Sequence, residues 1–209
     1  MTTEQIPTSD MRFRRFATQI QYAIIAVVLM SICPLRTLAQ NSHSHTQELT
    51  PDQKSKQGAL LKIVRDSTER FKDVREAEAE GYTLTFGCVS GPDSGAMGLH
   101  YVNFDLVATG VIDPKRPQIV IYEPTSNGHV NLTGADFLVD AEQWNLDPKH
   151  KGPPELMGQL FHLFDAPNRF GLKAFYTLHV WAWKDNPNGA FVNWHPNVSC
   201  EQFVGPTNN

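Results

Sequence analysis

The chain between residues 50 and 80 places apolar and charged positions with the period of a helix. Thr50 can cap the first turn, Gln53 completes a capping box, and Gly81 marks the end. This pattern predicts one amphipathic helix running from Thr50 to about Glu80, with Gly58 as a point where it can break. Its apolar stripe consists of Leu60, Val64, Phe71 and Val74.

From Tyr82 onward the pattern changes to short apolar runs separated by Gly, Pro and Asn, which is typical of strands joined by turns. Residues 87–98 are predicted to form a loop that contains Cys88. The predicted fold class is α+β, with a long N-terminal amphipathic helix packed on an antiparallel sheet that can curl into a partial barrel. The predicted strands are 82–86, 99–103, 118–123, 129–139, 158–164 and 175–183.

The first 39 residues have the pattern of a signal peptide. Three arginines precede an apolar run from Ala23 to Ile32, and Thr37-Leu38-Ala39 offers small residues for a signal peptidase. The run is too short for a spanning helix, which needs about 20 apolar residues. An uncleaved membrane anchor is the alternative.

We therefore predict a signal peptide over residues 1–39, a flexible linker over 40–49 and a single α+β domain over 50–209. The protein would then be secreted or periplasmic, with no stable membrane insertion after cleavage.

The charge balance excludes one class of partner. Residues 1–39 hold four of the 18 Lys and Arg residues and two of the 22 Asp and Glu residues, which leaves 14 basic and 20 acidic residues, a net charge of −6. Binding to a phosphate backbone needs clustered Lys and Arg, so we expect no nucleic-acid partner.

Two cysteines, Cys88 and Cys200, remain after the predicted cleavage. In an oxidising compartment they would most simply form a disulfide with each other. Two free thiols or a thiolate-bound metal are the alternatives.

None of the sequence motifs of the common enzyme classes is present, so any chemistry must come from residues that the fold brings together. All eight histidines follow residue 39, and imidazole is the usual protein ligand of first-row metals. Strand periodicity places His179 opposite to the face of Tyr176 and Leu178. We predict a divalent-metal or acid–base site built from His100, Glu123, His162 and His179, the metal being Zn, Cu, Mn or Fe. The alternative is that these are core or rim histidines, satisfied by backbone groups and water.

Two further features could bind ligands. Tyr101, Trp181 and Trp183 could form an aromatic surface for a small molecule, although such residues are also common in cores. His43-Ser44-His45 is an H-x-H pair that could bind Cu(II) or Ni(II) near a freed N-terminus, or could arise by chance.

Three segments carry a family resemblance: Gly98–Asn103 (GLHYVN), Ile121–Pro124 (IYEP) and Leu178–Pro187 (LHVWAWKDNP). In these the chain resembles a family of exported bacterial proteins of unknown function, from about Arg70 to Cys200. The resemblance implies a bacterial envelope or secreted setting and implies no substrate.

The sequence thus predicts an exported protein that binds a metal ion or small ligand in a pocket lined by histidines and aromatic residues. A metal-dependent or His/Glu acid–base enzyme is one alternative, and a structural or interaction protein of the cell envelope is another.

Overall fold

The structure, a computed structural model, describes residues 48–208. The predicted signal peptide, most of the predicted linker and the His43-Ser44-His45 pair lie outside the described residues. The described chain mixes helices with a curled, mostly antiparallel sheet of seven strands, as the predicted α+β class requires.

The N-terminal helical region is divided into three pieces. Helix α1 spans Pro51–Thr68, a 3-10 turn spans Glu69–Lys72, and helix α2 spans Val74–Ala79. The single helix predicted to about Glu80 is therefore interrupted, and the break lies at the 3-10 turn rather than at Gly58. Asp73 accounts for the restart because its side chain accepts a hydrogen bond from the backbone N–H of Arg75 and caps α2.

Nine strands follow in the described residues. They are β1 Thr83–Gly91, β2 Gly95–Val102, β3 Ile119–Pro124, β4 Val130–Asp140, β5 Glu155–Leu156, β6 Gln159–Leu160, β7 His162–Phe164, β8 Phe175–Val180 and β9 Thr207–Asn208. Seven of them form one sheet in the order β7-β8-β4-β3-β2-β1-β9, and the short strands β5 and β6 pair with each other. Neighbouring strands of the large sheet are antiparallel except β1 and β9, which are parallel.

Two short helices were not predicted from the sequence. Helix α3 spans Phe104–Thr109 and helix α4 spans Ala141–Leu146. Each begins directly after a strand, where the side chain of Asn103 or Asp140 accepts a hydrogen bond from a backbone N–H of the first turn. Six residues are too few to show a helical period. None of the helices in the described part combines the length and apolar character that crossing a bilayer requires.

The central strands have apolar clusters on both faces because side chains alternate between the faces of a sheet. On one face, Leu60 and Val64 of α1 pack with Phe137, Leu178 and Val180. A second cluster on that face contains Tyr101, Tyr122 and Phe203. On the other face, a smaller cluster includes Ile119, Ile121, Leu138 and Phe175. The second face has no long helix over it among the described residues, and loop residues such as Phe170 and Leu172 pack there instead.

The segment predicted as a loop over residues 87–98 is largely a β-hairpin, and Cys88 lies on strand β1. Its sulfur is bonded to that of Cys200, with the two Cα atoms 5.7 Å apart, which confirms the predicted disulfide. Gly87 lets the C-terminal segment approach this strand. It has a φ of +66°, and a Cβ there would lie 1.9 Å from the carbonyl oxygen of Pro206.

Candidate metal centre

Three potential metal ligands meet on the sheet face that carries Ile119 and Ile121. Asp136 on β4 lies directly opposite His179 on β8, and it also lies opposite Ile119 on β3. His100 on β2 lies opposite Ile121. Because cross-strand partners and residues two apart along a strand share a face, all three side chains leave the sheet on the same side.

The three side chains are almost completely buried: His100 is 3% exposed, Asp136 6% and His179 1%. Each offers a donor atom, and these atoms all lie within 4.8 Å of one another. Asp136 Oδ2 is 3.9 Å from His179 Nδ1, which is too far for a hydrogen bond. The three donors are therefore close enough to share an ion, while Asp136 and His179 form no hydrogen bond with each other.

His100 has one ring nitrogen committed and one available. Its Nδ1 lies 3.1 Å from the carbonyl oxygen of Gly98, and a bond to a carbonyl requires the proton on Nδ1. Nε2 then keeps its lone pair. Metal-binding histidines usually donate their second ring N–H in this way, because the bond fixes the tautomer and the orientation of the ring.

The local backbone at Gly98 makes this bond possible. Gly98 has a φ of +97°, and a Cβ there would lie 2.4 Å from the carbonyl oxygen of Tyr122. Glycine therefore permits the close approach of β2 to β3 two residues before His100.

His179 has no hydrogen-bond partner on either ring nitrogen among the described residues, although both nitrogens are buried. Leaving buried polar atoms unpaired is costly, so such a residue requires an explanation. The ring instead packs at a tilt of 32° against Trp181, with the two centroids 4.3 Å apart, and Trp181 in turn contacts the edge-on ring of His195 at 4.8 Å.

Asp136 accepts a hydrogen bond from the hydroxyl of Thr177. Burial raises the pKa of its carboxyl group to about 7, and the hydrogen bonds from Thr177 and from the backbone of Phe137 and Leu178 oppose that rise only in part. The pKa rises because burying an isolated negative charge is costly, which favours the protonated, neutral carboxyl group.

The same burial acts on the imidazoles in the opposite direction. It lowers the pKa of His100 to about 4, and it lowers the pKa of His179 well below its ordinary value. Both rings are therefore neutral near pH 7, which is the protonation state that a metal ligand requires.

A small cavity reaches this group from the side of the apolar cluster. Its volume is about 20 Å³, and its polar end is formed by His100, Asp136, Thr177 and Asn193. The remaining wall is apolar and contains four phenylalanines, Phe86, Phe164, Phe170 and Phe175. The carboxylate and one imidazole thus face a space that is otherwise hydrophobic.

Two of the four predicted ligands, His100 and His179, belong to this group, and two do not. Glu123 forms an ion pair with Lys184, with 2.6 Å between Oε2 and Nζ. His162 lies directly opposite Thr177 on the edge strand β7, where its side chain is exposed. In the structure, therefore, Glu123 and His162 do not lie with the other two histidines, and the carboxylate beside those histidines belongs to Asp136.

The three aromatic residues predicted as a ligand surface do not all lie together, because Trp181 belongs to a different apolar cluster from Tyr101 and Trp183. Trp181 is buried beside His179, and its Nε1 donates to the carbonyl oxygen of Val192. Tyr101 packs against Tyr122 in the cluster on the opposite face of the sheet. Trp183 donates to Thr68 through Nε1 and lies under the ammonium group of Lys72.

The other described histidines have structural partners or lie at the surface. His195 is buried, with Nε2 against the carbonyl oxygen of Asp185 and Nδ1 accepting from the backbone N–H of Asn197. The ring of His150 stacks on Trp144 at 3.4 Å. His129 is exposed.

Sequence reasoning missed Asp136, although the chain contains a signal for it. The carboxylate lies between Ala135 and Phe137 inside the most apolar part of a predicted strand. A charged residue at such a position is either on a solvated face or buried for a reason.

Comparison with known proteins does not assign the chain to a family. No protein-family model, no curated protein and no solved structure matches the chain. A functional proposal therefore depends on the site itself.

Proposed function

We propose that the protein binds a divalent transition-metal ion through His100, Asp136 and His179. The observation that carries the proposal is His179, a buried imidazole whose two nitrogens have no hydrogen-bond partner among the described residues and which lies beside a carboxylate and a second imidazole. An ion bound here would supply the missing interaction for His179 and offset the charge of Asp136.

The donor set limits the choice of metal. Two imidazoles and one carboxylate suit Zn, Fe, Mn and Cu, whereas Ca and Mg prefer oxygen ligands throughout. Around an ion with ligand distances of about 2.1 Å, donor atoms lie about 3 to 3.5 Å apart. The three donors must therefore draw together on binding, and the ring of His179 can adjust without breaking a hydrogen bond.

Three protein ligands leave at least one coordination position for an exogenous group. Catalytic zinc and non-haem iron sites share this property, whereas structural zinc sites have four protein ligands. The cavity beside His100 and Asp136 would give such a group access to the ion. The proposal thus includes a metal-dependent enzyme as well as a metal-binding protein.

Metal-free acid–base chemistry is a second candidate because Asp136 itself lines the cavity and has a pKa of about 7. A carboxyl group that titrates near neutral pH can donate or accept a proton in catalysis. A chelator separates the two candidates, since it would abolish a metal-dependent activity and leave a purely acid–base one unchanged.

We also propose that the protein is exported, as its N-terminal sequence predicts. The disulfide between Cys88 and Cys200 supports this location because such bonds persist in oxidising compartments. N-terminal sequencing of the protein recovered outside the cytoplasm should begin near Gln40, and recovery of the intact N-terminus in the cytoplasm would contradict the proposal.

Metal uptake tests the proposed function. The purified protein is stripped with a chelator, dialysed against Zn, Co, Mn, Cu or anaerobic Fe(II), and its metal content is measured by elemental analysis. We expect about one ion per chain with at least one of these metals. His179→Ala should lose that ion, and His162→Ala, which removes an exposed histidine, should retain it.

Far-UV circular dichroism establishes that each variant is folded, and Asp136→Asn provides a second ligand variant of nearly unchanged size. A wild-type protein that takes up none of these metals would overturn the proposal. Equal uptake by wild type and His179→Ala would also overturn it.

A further inference from the structure

The cavity beside the candidate metal centre is small enough to act as a size filter. We propose that the open coordination position accepts only exogenous ligands of one to three heavy atoms, such as water, dioxygen or azide, and that Phe170 enforces this limit. The inference rests on the proposed metal site and specifies which ligands can reach it.

The volume of this cavity limits what can bind beside an ion. A cavity needs about 10–15 Å³ to hold one water, and a cavity of about 150 Å³ binds benzene. The cavity at His100 and Asp136 measures about 20 Å³. It therefore has room for one small group, whereas an aromatic or branched ligand does not fit.

The apolar wall of this cavity contains four phenylalanine rings that pack against one another. The ring of Phe170 lies 5.1 Å from Phe86, 5.9 Å from Phe164 and 5.9 Å from Phe175, measured between centroids. Phe164 and Phe175 lie 5.2 Å apart. Phe170 is thus the one ring that contacts the other three, and its removal would open the cavity most directly.

The loop that carries Phe170 is held to the C-terminal part of the sheet. Arg169 Nη2 donates to the carbonyl oxygens of Ser90 and Asn208, at 2.8 and 2.7 Å. Asn168 Oδ1 accepts from the backbone N–H groups of Phe170 and Leu172. These hydrogen bonds hold the loop in place, and with it the ring of Phe170 that narrows the cavity.

A larger apolar cavity lies next to the first. It measures about 190 Å³ and shares Phe86, Leu138, Leu172 and Phe175 with the smaller one. Apolar molecules of the size of a ring can enter this outer space. The side chains common to both cavities then stand between such a molecule and the metal.

Charge narrows the ligand class further. A divalent ion with one carboxylate and two neutral imidazoles has a net charge of +1, and an uncompensated charge is costly in a buried apolar site. A small monoanion such as hydroxide or azide removes that cost, and a small neutral molecule adds no further charge. Dianions are disfavoured because they would leave a net negative charge.

Cobalt(II) provides the test because its visible absorption reports both its uptake and its ligands. The cobalt-loaded protein is titrated with azide, with imidazole and with benzoate. We expect azide to change the wild-type spectrum in a saturable manner. Imidazole and benzoate should bind at least about tenfold more weakly than azide, or not at all.

Phe170→Ala should improve the binding of imidazole or benzoate by about tenfold or more while changing that of azide much less. Phe203→Ala, which truncates another half-buried phenylalanine in the cluster on the opposite face, is the matched control. Leu172→Ala opens the same wall and serves if Phe170→Ala does not fold.

The outcomes distinguish the two proposals. Failure to take up cobalt would contradict the metal site and, with it, this inference. Uptake of cobalt followed by equal binding of azide and imidazole to the wild type would contradict the size limit alone. Identical ligand profiles of Phe170→Ala and Phe203→Ala would overturn the role of Phe170.

Discussion

Asp136 and His179 lie directly opposite each other on strands β4 and β8, yet Oδ2 of the aspartate and Nδ1 of the histidine are 3.9 Å apart, too far for a hydrogen bond. Both are buried, and the hydroxyl of Thr177 rather than the imidazole donates to the carboxylate. His179 has no hydrogen-bond partner among the described residues, and a buried polar group without one requires an explanation. Because His100 completes a group of three donors, an ion bound among them would supply that partner.

Replacement of Asp136 by Asn should stabilise the metal-free protein at neutral and alkaline pH. Burial raises the pKa of Asp136 to about 7, whereas an unfolded aspartate titrates near its ordinary value of 3.8. Between these two values the unfolded state binds fewer protons than the folded state, so this group makes the free energy of unfolding fall as pH rises. His100, whose pKa is lowered to about 4, acts in the opposite direction between about pH 4 and 6.5. His179, whose pKa is lowered well below 6.5, acts in the same sense as His100.

The difference between wild type and Asp136→Asn isolates the aspartate, because both proteins contain the two histidines. Urea unfolding at several pH values should show the advantage of the variant growing from about pH 4 to about pH 7 and then staying constant. Asp105→Asn, at an exposed position on α3, should show no such growth. If the difference in unfolding free energy between wild type and Asp136→Asn did not change with pH, the raised pKa of the buried carboxyl group would be contradicted.

Metal affinity should rise with pH up to about 7 and then level off. An ion requires the carboxylate form of Asp136 and neutral imidazoles, and the imidazoles are already neutral above about pH 5. Below about pH 7 the ion must displace one proton from Asp136, so the apparent Kd should fall by about tenfold per pH unit. Chelator competition titrations measure this slope, and a flat profile between pH 5 and 7 would speak against Asp136 as a ligand.

Paramagnetic metals should quench the fluorescence of one tryptophan. The ring of Trp181 lies 4.3 Å from that of His179, so Cu(II) or Co(II) at the site would be close to its indole. Titration should remove the part of the emission that Trp181→Phe also removes, and Zn(II) should leave that part unquenched. Quenching that persists in the Trp181→Phe variant would indicate that the metal lies elsewhere.

Loss of the disulfide should lower stability without changing the ligand set. Cys88 and Cys200 are 112 residues apart, and closing a loop of that length is worth about 4–5 kcal/mol in the chain-entropy treatment. The double variant Cys88→Ser/Cys200→Ser should therefore unfold at markedly lower urea concentration. Reaction of both cysteines with a thiol reagent in the unreduced native protein would show that the bond is not formed.

Strand periodicity predicted part of the site from the sequence. It placed His179 on the opposite face from Tyr176 and Leu178, which pack under α1 in the structure. It did not exclude His162, which lies opposite Thr177 but on the edge strand, where it is exposed. Periodicity predicts which face of the sheet a residue lies on, but it does not predict the order of the strands. That order decides whether a histidine lies on a central strand, where it is buried, or on an edge strand, where it is exposed.

The structure differs from the sequence prediction at Glu123 and at Asp136 for different physical reasons. A register shift between Ile121 and Tyr122 interrupts the pairing of β3 with β4 just before Glu123, and Lys184 neutralises that carboxylate. Asp136 was missed because alternation within a strand suggests that a charged residue faces water. Only the long-range pairing of β4 with β8 reveals that this position is buried beside a histidine.

Anomalous diffraction from a crystal soaked with zinc or cobalt, recorded at the absorption edge of the metal, would locate the bound ion itself. We expect a peak bounded by His100 Nε2, a carboxylate oxygen of Asp136 and a ring nitrogen of His179, at about 2.0–2.2 Å from each. This peak should disappear in Asp136→Asn. A metal-soaked wild-type crystal with no peak among these three residues, or with peaks only at surface histidines such as His129 and His162, would contradict the proposed metal site.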